Sequence, residues 1–75
     1  MDRAIAEKLM VIYARVGEVL NEAGEIARTI SGEEERKLTL RPIGDMMARV
    51  WTDLQLPIVR QYRDLDPDGD RYNNG

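Results

Sequence analysis

Apolar residues recur through the first thirty positions at Ile5, Leu9, Ile12, Val16, Val19, Ala23, Ile26 and Ile30, with gaps alternating between four and three. Such a run forms one continuous seam on an α-helix and would scatter over both faces of a strand. A second line, Ala6, Tyr13, Leu20 and Ala27, flanks the first. The apolar stripe is therefore wider than a two-helix seam requires and suits a helix that touches two neighbours. The charged residues Glu7, Lys8, Arg15, Glu18, Glu22, Glu25 and Arg28 fall off that stripe. Asp2 can cap the start, and Ser31-Gly32 supply a stop, which predicts one helix from about residue 3 to 30. At 1.5 Å per residue it is ~40 Å long. Gly17 and Gly24 interrupt it one heptad apart. A glycine inside a helix costs about 1 kcal/mol relative to alanine. Either another backbone comes close at these positions or they face solvent.

The chain of 75 residues makes one domain, and a core of that size barely offsets the entropy of ordering the chain. Cysteine and histidine are both absent. That removes disulfide staples, zinc sites and the nucleophilic triads that use either residue. Stability must then come from regular helix packing or from a partner. The net charge is −3 and the basic residues are scattered, so the stripe that duplex nucleic acid requires is lacking. No apolar run approaches the ~20 residues that cross a bilayer, and MDRAIAEKLM lacks the pattern of a signal peptide. A soluble cytoplasmic protein is the expectation.

The second half reads as a charged linker over about 31–41, a helix over about 42–64 and a flexible acidic tail over 66–75. Within the linker, Leu38-Thr39-Leu40 alternates like a short strand. Pro42 suits a first helical turn and Asp45 an N-cap. Ile43, Met47, Val50, Leu54, Ile58, Tyr62 and Leu65 then share one broad face, with Met46, Trp51 and Val59 alongside. Pro57 cannot donate to the carbonyl of Asp53, which predicts a kink there.

The expected fold is an all-α hairpin of two amphipathic helices of unequal length. Neither helix can cover the other's oversized face. Two hairpins therefore pair into a four-helix bundle, or another protein takes the same surface. The interface would draw on Ile5, Leu9, Ile12, Tyr13, Val16, Val19, Leu20, Met47, Val50, Trp51, Leu54, Ile58 and Tyr62. Neither polar face is the lysine-rich kind that lies on membranes.

Two stretches carry possible metal chemistry. Glu18, Glu22 and Glu25 share a face of the first helix, and grouped carboxylates can hold magnesium for phosphate chemistry. The stretch LNEAGEIARTI, followed after a charged loop by GDMM, locally resembles the MazG-type all-α nucleotide pyrophosphatases. That family holds magnesium through E-x-x-E on one helix and E-x-x-D on the next. The resemblance implies Glu22 and Glu25 as the first pair and Asp45 as the last ligand, with Pro42 standing where the remaining glutamate belongs. The second stretch is DLDPDGDRYNNG, in which Asp64, Asp66, Asp68 and Gly69 match the first half of a calcium loop. The twelfth position, where a bidentate glutamate closes such a loop, is Gly75. A Pro-Asp-Gly turn in a solvated tail explains the same residues. Arg60 and Asp64 are spaced for an i,i+4 ion pair. A binding protein (adaptor, inhibitor or regulatory subunit) with no cofactor is the favoured expectation. A magnesium-dependent nucleotide hydrolase and a calcium-responsive module are the alternatives.

Overall fold

A computed structural model describes residues 1–67. Helix α1 runs Arg3–Ala27 and helix α2 runs Glu33–Arg49; a π-helical turn, Val50–Gln55, carries α2 into the short helix α3, Leu56–Gln61. A 3₁₀ turn, Arg63–Leu65, follows. The fold is thus two long helical rods joined by a short connection, as the two apolar periodicities predict. Arg3 lies against Asp64, and Gly24 against Ile43, so the rods are antiparallel.

The first helix begins at Asp2, whose carbonyl accepts from the Ala6 amide at 3.0 Å, although its side chain makes no capping hydrogen bond. It ends at Ala27, just short of the expected stop. Gly32 has φ −75° and serves as the N-cap of α2, so it starts a helix instead of ending one.

The linker expected over 31–41 is largely helical, and the second rod begins at Glu33, well before Pro42 or Asp45. Leu38, Thr39 and Leu40 are helical, with no strand among the described residues. The physical reason is the charge run itself. Glu33, Glu34 and Glu35 occupy the first turn, where the helix dipole favours carboxylates. Glu33 also pairs with Lys37 at 3.2 Å one turn later. Arg36 donates to the carbonyl of Ile30 at 3.0 Å and ties the connection to the new helix. Pro42 then falls inside α2, at an exposed position where water can serve the carbonyl that loses its partner. The two rods are consequently of similar length, 25 residues for α1 and a comparable run for α2 through α3.

Where the sequence predicts a kink at Pro57, the helix carries a π-helical turn just ahead of the proline. The helix widens over Val50–Gln55, and the Leu56 amide bonds back to Trp51, five residues earlier. Proline has no amide to donate and its ring crowds the carbonyl four residues before it. A wider turn ahead of it accommodates both, and the rod continues. Two local bonds brace this turn. Arg49 pairs with Asp53 at 3.3 Å, and the Thr52 hydroxyl donates to the carbonyl of Ala48 at 3.1 Å.

The core is small and sits toward the free ends of the hairpin. Ala6, Met10, Ile58 and Val59 are buried together, with Leu9, Tyr13, Trp51, Tyr62 and Leu65 packed around them. Near the connection the buried positions are Gly24 and Ala27. A Cβ at Gly24 would meet Ile43 Cγ2 at 3.9 Å, so glycine allows a close but unforced approach there. Gly17 has no atom within 4 Å of its missing Cβ and opens a gap between the rods.

Candidate interaction surface

The face of α1 turned to the second rod is not the longest apolar line in its sequence. Apart from Leu9 and Ala23, which are half-buried at its edge, the buried and half-buried positions are Ala6, Met10, Tyr13, Gly17, Leu20, Gly24 and Ala27. Their gaps also alternate four and three, which becomes visible once the glycines are counted as packing positions. The other line is left largely uncovered. Ile26 is 71% exposed, Val19 62%, Ile5 50%, Ile12 48% and Val16 38%. Small residues explain the choice. Ala6, Gly24 and Ala27 let the rods approach toward the two ends of this line, where Ile or Val would hold them apart. From Ile5 to Ile26 the uncovered seam is ~30 Å long. It is interrupted at Leu9 and Ala23, which are half-buried.

The second rod adds to the uncovered surface. Met46 is 51% and Leu54 40% exposed, and they flank a shallow dip with Val50. Between α1 and the π-helical turn lies an open groove of about 630 Å³, lined by Tyr13, Gly17, Met47, Trp51, Gln55 and Pro67 among others. Of the thirteen residues expected at an interface, Ile58 is buried within the chain, as is Val50. Trp51, Tyr62, Tyr13, Leu9 and Leu20 are half-buried. Ile5, Ile12, Val16, Val19, Met47 and Leu54 are exposed.

Polar contacts cluster where the free ends meet. The Arg3 guanidinium pairs with Asp64 and with Glu7, the latter at 3.3 Å, and lies over the Tyr62 ring at 5.6 Å from its centre. The Tyr62 hydroxyl donates to the carbonyl of Met1 at 2.5 Å. Asp64 therefore pairs across the fold with Arg3 and not with Arg60 one turn back. Asp66 is 6% exposed and Pro67 lines the groove, so this part of the expected tail is packed against the helices.

The hydrogen bond and charge of Arg3 hold the Asp64 carboxyl below its ordinary value of 3.8. A carboxyl whose pKa is lower folded than unfolded contributes stability above the unfolded value and loses it as pH falls through the folded one. Both partners are solvent-exposed, so the contribution is modest. Asp64→Asn should lower the melting temperature slightly near neutrality and converge with the native chain in acid below that range. Thermal melts across pH check this; an offset that persists in acid would assign the effect to packing.

The carboxylates singled out for metal chemistry lie on both rods. Glu22 and Glu25 stand exposed on α1, Asp45 exposed on α2, and Glu18 beside the groove. Among the described residues no three acidic side chains come together as a metal-holding group. Asp68 and Gly69 of the calcium-loop pattern lie outside the described residues, while Asp64 is engaged by Arg3. No helix among the described residues is long and apolar enough to cross a membrane. The chain is thus a small helical hairpin with an uncovered apolar seam. Comparison with protein-family models, curated proteins and solved structures finds no match to it.

Proposed function

We propose that this protein acts by helix-mediated association. The hairpin pairs with a second copy into a four-helix bundle, and the assembled bundle serves as an adaptor, inhibitor or regulatory subunit. The uncovered seam of α1 carries this reading. Full burial of a Val or Ile side chain contributes about 1.5–3 kcal/mol, and the seam presents five such residues more than a third exposed. The internal core is small by comparison, since two of its six buried apolar members are the alanines Ala6 and Ala27. A second copy supplies what a chain of this size needs, an apolar face of the same length and residue type.

Sedimentation equilibrium of the full chain over a range of concentrations tests the proposal. Twice the chain mass, dissociating only on dilution, is the expected result. A well-folded monomer up to ~100 μM, far above the dissociation constants of specific pairs, would overturn it.

A further inference from the structure

We infer that the two copies join through antiparallel α1 helices, about a two-fold axis near Gly17 and Glu18, with Arg15 of each facing Glu22 of the other. The inference rests on the self-association proposed above and fixes its orientation and register. The starting point is the angle between the two faces of α1. The covered line begins at Ala6 and the uncovered line at Ile5, one residue apart, which is about 100° around the helix. A helix with neighbours about 100° apart forms the corner of a square, the arrangement of a four-helix bundle.

Symmetry then separates the two possible orientations. If the α1 helices run antiparallel, the two-fold axis is perpendicular to them. Both second rods then lie on the same side of the α1 pair, next to each other, and the square closes. If they run parallel, the axis lies along them. The second rods are then thrown to opposite sides and no bundle closes.

Charge favours the same orientation. Lys8, Arg15 and Glu22 flank the uncovered seam on the side away from the second rod, one heptad apart, and none has an ion-pair partner among the described residues. The strip is basic in its first part and acidic in its last. Matching the seam residues antiparallel sets Val16 against Val19, Ile12 against Ala23 and Leu9 against Ile26 of the partner subunit. That register brings Arg15 opposite Glu22 of the partner subunit twice over, by symmetry. A parallel pair would place the same charges beside the partner's Tyr13 and Leu20 positions, which the second rod already covers. Antiparallel pairing is therefore the orientation in which both the apolar layers and the flanking charges are complementary.

The chain has no cysteine, so a single spin label reports the orientation. Ala4 is exposed and lies on the side of α1 remote from both faces. Ala4→Cys, labelled and measured by pulsed dipolar spectroscopy at concentrations where sedimentation shows the dimer, should give a separation of roughly 40 Å. A separation below ~25 Å, as side-by-side parallel helices 8–10 Å apart would give, overturns the antiparallel arrangement while self-association stands. A monomer by sedimentation removes both. For the register, Arg15→Glu should weaken the dimer about tenfold, and Arg15→Glu with Glu22→Arg should restore it. Failure of that rescue overturns the assignment of Arg15 to Glu22.

Discussion

Val19→Glu should leave the hairpin folded and abolish its self-association. Val19 is 62% exposed within the chain, so a carboxylate there remains in water as long as the protein is monomeric. In the paired state the same carboxylate would be buried near the two-fold against Val16 of the partner subunit, where the flanking Arg15 side chains are already engaged by Glu22. Burying an unpaired charge costs several kcal/mol, which raises the dimer dissociation constant at least ~100-fold. The check is sedimentation beside far-ultraviolet circular dichroism, so that loss of pairing is seen without loss of helix. Val11→Glu is the matched control, because Val11 is equally exposed, 60%, but lies on the remote side of α1. If Val19→Glu still dimerises like the native chain, the seam is not the interface.

Ile58→Ala should unfold a large fraction of the protein at room temperature. Ile58 is 3% exposed and packs with Ala6, Met10 and Val59 where the last helix meets the first. Removing most of a buried aliphatic side chain costs about 2–5 kcal/mol, the transfer loss plus the cavity left behind. A domain this small has only a few kcal/mol in reserve. Urea unfolding followed by circular dichroism should show the midpoint moved far down, or no folded baseline at all. Any pairing of folded chains adds to apparent stability by mass action, so the comparison belongs at one protein concentration. A loss under 1 kcal/mol would mean that the end of the hairpin is not held by this cluster.

The hairpin itself is legible in the sequence. The four-and-three spacing of α1 gives its extent to within three residues at the end, because a period sustained over seven turns leaves no other structure consistent with it. Pro57 signals an irregularity because its missing amide has a local consequence, but the form, a π-helical turn just ahead of it where a kink is expected, is not legible in the sequence. The start of the second rod is not legible from Pro42, a strong local signal that misleads. Three glutamates in the first turn and the Glu33–Lys37 pair extend the helix back to Glu33, and Pro42 is tolerated because it faces solvent. Arg3 taking Asp64 is likewise invisible in local spacing, since their sequence separation is 61 residues.

The sequence determined by itself that α1 is helical and carries two adjacent apolar lines. Only the tertiary structure decided which line is covered within the chain. Periodicity ranks Ile5 to Ile26 first, since hydrophobic pattern weighs side chains by apolarity. Packing two rods instead rewards close approach, and the line with Ala6, Gly24 and Ala27 permits it. The more apolar line is left facing outward, an inversion between apolarity and fit.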